Sequence, residues 1–133
     1  MRVTLDSNVY VSALNFGGVP ETVLLLAAEE AFHLQLSPPI LEETTRILRA
    51  KFHWSLTDLI EARDTLTSIS HRVITHIQLD VVRRDPKDNF ILECSQASRS
   101  DYVVTGDNHL LELKQYAGAR IVKPAEFLRL VQT

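Results

Sequence analysis

The stretch Arg2-Val3-Thr4-Leu5-Asp6-Ser7-Asn8-Val9 decides the fold. Its first four residues are the right length and chemistry for a short buried strand. The run then breaks at an acid followed by Ser and Asn, residues that favour helix starts. A strand that feeds directly into a helix is the building unit of a parallel sheet. The same pattern recurs along the chain. Further short apolar or β-branched runs predict strands over 33–36, 72–75, 102–105 and 120–122. Helical periodicity predicts helices over 9–15, 20–31, 38–50, 55–69, 86–98, 107–115 and 124–131. Ser37 before Pro38, Asp85 before Pro86, and Pro124 mark helix starts. The expected architecture is a three-layer α/β/α sandwich around a central parallel sheet of about five strands. No repeat, low-complexity tract or linker divides residues 1–133, which read as one domain.

Composition narrows the classes of function. At 133 residues and 45% apolar, the chain can bury a substantial core. No apolar run approaches the roughly 20 residues a membrane span needs, and the N-terminus enters a strand without a signal peptide. The expectation is a cytoplasmic protein that does not engage a membrane. Cys94 is alone, which excludes an intramolecular disulfide and a cysteine-rich zinc site, and it reads as a small core residue. A net charge of -3 argues against a broad basic surface, but bound divalent ions would reverse the sign locally.

In an open parallel sheet, ligands bind outside the carboxyl ends of the strands, where strand order reverses. Asp6 and Asp107 each follow a predicted strand and fall on that edge. Both also suit helix caps, but a carboxylate at the end of a buried strand is costly without a partner, and Asp6 is read as functional. Gly106 allows a tight turn or close approach to a ligand. On the 38–50 helix, Ile40, Leu41, Thr44, Ile47 and Leu48 form one apolar stripe at about 100° per residue. Glu43 flanks that stripe, whereas Glu42 points away, so Glu43 is the site candidate. Asp85 reads as an N-cap and outer contact. Asp88, at N3 of the same helix, shares the inward face of Ile91 and Leu92 and is assigned to the site. Asn8 and Thr105 are expected to support the acids from behind.

The remaining polar and aromatic residues read more plainly. Asp101 lies at the opposite edge and reads as structural. The five histidines show no paired metal-ligand spacing, and His109 reads as an exposed first-turn residue. Trp54 and Phe52 are expected to anchor a helix junction. The face made by Leu56, Leu59, Ile60, Leu66 and Ile69 reads as core in preference to a partner surface. Two basic clusters, Arg46, Arg49 and Lys51, and Arg83, Arg84 and Lys87, lie close in sequence to candidate acids. Each is either a solvated stretch or a contact for phosphate.

These motifs, taken in series, resemble the PIN-domain family. Leu5-Asp6-Ser7-Asn8-Val9 is similar to its first acidic motif, with Ser7 where Thr is more usual. Ser37 through Leu48 resembles the helix that carries its glutamate, at Glu43. Asp85-Pro86-Lys87-Asp88-Asn89 resembles the third motif, in which many members have a further acid in the place of Asn89. Val103-Val104-Thr105-Gly106-Asp107, followed by Leu110-Leu111, resembles the fourth. The resemblance implies a metal-dependent ribonuclease, VapC-like, acting as the toxin of a toxin–antitoxin pair. It also implies inhibition by a small antitoxin and a homodimer.

The chemistry can be argued beside the resemblance. Carboxylates held close together repel one another and call for a cation. Mg2+ or Mn2+ suits oxygen ligands and would activate water and stabilise charge on a phosphodiester. Asp6, Glu43, Asp88 and Asp107 are the expected catalytic acids and metal ligands. Arg46, Arg49, Lys51, Arg84 and Lys87 are the expected RNA contacts. The competing readings are an α/β phosphatase or other phosphoryl-transfer enzyme, and a non-catalytic module that binds RNA or protein. The absence of a second acid two residues after Asp6 disfavours an aspartyl-nucleophile scheme.

Overall fold

The computed structural model describes residues 1–82 and 87–132. Asp85, Arg83, Arg84 and Pro86 lie outside the described residues. The chain order is β1 (Arg2–Leu5), α1 (Ser7–Asn15), α2 (Gly18–Ala28), β2 (His33–Leu36), α3 (Pro38–Phe52), α4 (Leu56–Ser68), β3 (Ser70–Arg72), α5 (Asp88–Ser98), β4 (Tyr102–Val104), α6 (Asn108–Leu111), β5 (Gln115–Tyr116), β6 (Ala119–Val122) and α7 (Pro124–Gln132). The strands form a six-stranded sheet in the order β3-β2-β1-β4-β6-β5, parallel except for β5.

Register and alternation assign the two faces. Thr4 pairs with Gln35 and Val103, so these three share a face. That face is covered by α5, whose Cys94 Sγ lies 3.8 Å from Thr4 Oγ1 and 3.9 Å from the Gln35 carbonyl. Val3 pairs with Tyr102 on the other face, where Tyr102 packs edge-on against Phe127 of α7. Phe127 also meets Phe32 at a centroid distance of 5.1 Å and is fully buried. The sheet is thus sandwiched between helices. Among the described residues, no single helix is long and apolar enough to cross a membrane.

The core stripe of α3 is as expected: Ile40, Leu41, Thr44, Ile47 and Leu48 are all buried. Trp54 and Phe52 pack against Val11, Ile47 and Leu48, and Trp54 donates its indole N–H to Asn15 Oδ1 at 3.0 Å. On α4 the outcome is mixed. Leu66 is in the core and Leu59 and Ile69 are partly buried, but Leu56 and Ile60 face outward.

Two expectations are corrected. The third strand occupies 70–72, earlier than the expected 72–75. Val73 donates its N–H to the Leu36 carbonyl, and beyond that point β2 gives way to the Pro38 start of α3, leaving β3 nothing to pair with. The helix expected over 107–115 ends at Leu111, and the chain continues into a hairpin that adds a sixth, antiparallel strand. Tyr116 pairs with Ala119 across the two-residue turn Ala117-Gly118, with φ of 48° and 85°. Both residues left-handed is the type I′ geometry, whose strongest signal is Asn-Gly, not Ala-Gly. Ala117 is strained there because its Cβ crowds the backbone at positive φ. Ala117→Asn is therefore expected to raise unfolding stability by about 1 kcal/mol in chemical denaturation. A loss of stability would contradict the turn assignment.

Candidate metal centre

Sheet order reverses at β1, which pairs with β2 on one side and β4 on the other. A crevice opens at the carboxyl ends of β1 and β4, and both strands run into acids there. Asp6 extends the ladder by one bond, donating its N–H to the Val104 carbonyl, and then caps α1 through Oδ1 and the Asn8 amide. Asp6 is 4% exposed. Thr105 Oγ1 donates to Asp6 Oδ2 at 2.7 Å and accepts the Asp107 amide at 3.0 Å. Thr105 thus holds the two acids in register, as expected for a supporting group. Asn8 contributes its backbone amide, and its side chain is exposed.

Burial raises the Asp6 carboxyl above its ordinary value. The Thr105 hydroxyl and the Asn8 and Ser7 amides oppose the shift, and the charge of Asp107 adds to it. Asp107 caps α6, its Oδ1 accepting from the His109 and Leu110 amides. Both aspartates are therefore helix caps at the carboxyl ends of their strands.

Asp88 begins α5 at its first turn, with Lys87 as N-cap, so it sits at N1, two positions earlier than expected. It is 6% exposed. Asp88, Asp107 and His109 each bring a ligand atom to one place, all three atoms within 4.8 Å of one another. Two carboxylates and an imidazole nitrogen make a donor set that fits a small divalent ion. Among the described residues, Asp6 and Glu43 lie outside this tight group.

Glu43 is half-buried while Glu42 is exposed, in keeping with the helix phase. Its carboxylate is gripped by Arg46, with Nη2 at 2.8 Å from both oxygens, and Lys87 Nζ lies at 3.8 Å. Glu43 thus meets the side chain of Lys87, the N-cap residue of α5. Arg49 turns instead to the Trp54 carbonyl, at 3.3 Å. Lys51 is exposed.

Two residues gain importance that the sequence did not assign them. His109 is only partly exposed, correcting its reading as an exposed helix residue. Its Nδ1 is buried 3.9 Å from Asp107 Oδ1 and has no hydrogen bond among the described residues. Its place two residues after a strand-end aspartate was the available signal. Asn89 accepts the Val81 and Val82 amides through Oδ1, each at 2.9 Å, and donates Nδ2 to the Val82 carbonyl at 3.0 Å. An acid could not make the last bond. One turn on, Glu93 accepts the Leu79 amide at 2.8 Å. The i, i+4 pair Asn89 and Glu93 thereby clamps the segment that leads to Asp88. Cys94 is fully buried and its thiol is pushed up to about 11 by burial, so it is core, not nucleophile. Asp101 is structural, its Oδ2 accepting the Arg2 amide at 2.9 Å.

The comparisons with known proteins meet this geometry. The family model described as PIN domain matches residues 2–109, a span that includes every acid of the rim. The chain belongs to the PIN domain family. Its fold is also that of a chain in the crystal structure of VapBC2 from Rickettsia felis bound to a DNA fragment from their promoter. The TM-score is 0.66 at 17% identity, over 91% of this chain and 97% of that one. No curated protein matches in sequence.

Burial of Asp6 has a measurable consequence. The folded carboxyl binds its proton more tightly than the unfolded one, whose ordinary value is 3.8. The folded state therefore holds more protons in the window from that value upward, and stability falls as pH climbs through it. Asp6→Asn removes the buried charge. With divalent ions chelated, the melting temperature of Asp6→Asn relative to the parent should become more favourable from about pH 4 to about pH 7. A constant or reversed difference would contradict the buried-charge account.

Proposed function

We propose that the chain, as one nuclease domain over residues 1–133, is a metal-dependent endoribonuclease that hydrolyses RNA phosphodiester bonds. The observation that carries the proposal is the convergence of Asp88, Asp107 and His109 within 4.8 Å, beside the buried Asp6. Asp88, Asp107 and the His109 imidazole would hold Mg2+ or Mn2+. The ion supplies Lewis-acid stabilisation of phosphate charge and lowers the pKa of water. Asp6, fixed by Thr105 and Asn8, would add its negative field from the sheet side. Glu43 serves as the fourth acid from α3, and Asp85 as an outer contact.

The cations of the rim have their own part. Arg46 and Lys87 neutralise Glu43 in the resting protein, and an incoming phosphodiester offers both a competing anion. Arriving RNA would draw Arg46 and Lys87 onto its backbone and release Glu43 toward the ion. Arg49, Lys51 and Arg84 would extend the contact along the strand. Family membership supports nuclease chemistry. The likeness to VapBC2 supports a toxin of a toxin–antitoxin pair, held in check by a small antitoxin. In this proposal it acts in the cytoplasm as a homodimer.

The experiment compares the parent with Asp107→Asn and Asp6→Asn on single-stranded and structured RNA in Mn2+. Each variant is expected to lose on the order of a hundredfold in cleavage rate while keeping its circular dichroism spectrum. Parental cleavage by folded Asp107→Asn would contradict the proposal.

A further inference from the structure

At the amino edge of the sheet, opposite the acid rim, the strands present a second concentration of charge. Arg2 and His33 are register partners on β1 and β2, and Gln35 and His71 are partners on β2 and β3. Side chains alternate along a strand, so all four project from one face. The His33 and His71 rings stand 5.4 Å apart, nearly edge to face. None of this is visible in the sequence, where the two histidines are far apart.

This is the face that α5 covers. The helix ends at Ser98, and the chain turns off at Arg99 with a φ of 55°. The row beyond its end is left open. One guanidinium nitrogen of Arg2 donates to the Ser98 carbonyl at 3.3 Å and so answers the negative end of the helix. With Arg72 from the end of β3, these residues line a cleft of about 490 Å3. Among the described residues no acid lines it. Asp101, adjacent at the start of β4, has its Oδ2 on the Arg2 amide.

We propose that this cleft binds a phosphate monoester of mononucleotide size. Arg2 supplies a planar fork of donors that matches a phosphate. The imidazoles of His33 and His71 add further donors and flat faces for a base, and the volume lies in the range of small-molecule sites. The Arg2 end of the cleft is separated from the acid rim by the length of β1, roughly 13 Å at 3.3 Å per residue. A ligand seated here would not touch the metal centre. The proposal is independent of the nuclease reading, because it rests on different residues.

The test is a titration of the chelator-treated protein followed by NMR of its histidine rings. The probes are inorganic phosphate, a 5′-mononucleotide, the matching nucleoside, and a short RNA without terminal phosphates. The mononucleotide should move the His33 and His71 rings at millimolar concentration or below, phosphate should do so more weakly, and the nucleoside not at all. Arg2→Gln, at an exposed position, should weaken mononucleotide binding about tenfold, and His71→Gln should weaken it in the same direction. Unmoved rings, equal binding of nucleoside and nucleotide, or unchanged affinity in folded Arg2→Gln would overturn the proposal. Tighter binding of the RNA than of the mononucleotide would also overturn it, assigning the cleft to diester backbone instead.

Discussion

The hydroxyl of Thr105 donates to Asp6 and accepts from the Asp107 amide, tying the ends of two adjacent parallel strands into one unit. The rest of the site depends on that bridge. A carboxylate as buried as Asp6 is expensive to ionise, and its hydrogen bonds only partly offset the cost. The fold supports such a group because β1 and β4 lie where the strand order reverses, so a crevice exists there without any special loop. Asp107 then fixes the start of α6 and, with it, His109. Asp88 arrives from α5, whose entry is clamped by Asn89 and Glu93.

Much of this was legible in the chain. Asp6 and Asp107 could be placed on the rim because each ends a short apolar run, and strand polarity follows from the alternation of strands with helices. The choice of Glu43 over Glu42 followed from helix phase alone. What stayed hidden depends on contacts between distant segments. The Arg46–Glu43 pair is an ordinary i, i+3 contact, but no local pattern shows that Lys87 would also approach Glu43. His109 looked like an ordinary first-turn residue, because its approach to Asp88 joins segments remote in sequence. The β5–β6 hairpin was missed because Ala117 adopts a left-handed conformation that alanine rarely takes. The apolar residues Leu110 and Leu111 had suggested that the helix continued.

The two edges of the sheet have opposite chemical character. The carboxyl edge gathers Asp6, Glu43, Asp88 and Asp107, balanced by cations from α3 and the α5 N-cap. The face under α5, toward the amino edge, gathers Arg2, His33 and His71, with Asp101 held by the Arg2 backbone amide. A net charge of -3 conceals this separation. It also explains how a mildly acidic protein can offer phosphate two distinct environments: one through a bound cation, the other through guanidinium and imidazole donors.

The central claim is that Asp88, Asp107 and His109 form one cation site. Anomalous diffraction from crystals grown with Mn2+ tests it most directly. The account predicts a peak among the two carboxylates and His109 Nδ1, lost in Asp107→Asn, with any contact to Asp6 made through water. A peak held by other residues, or none at this crevice in a Mn2+-saturated crystal, would contradict it.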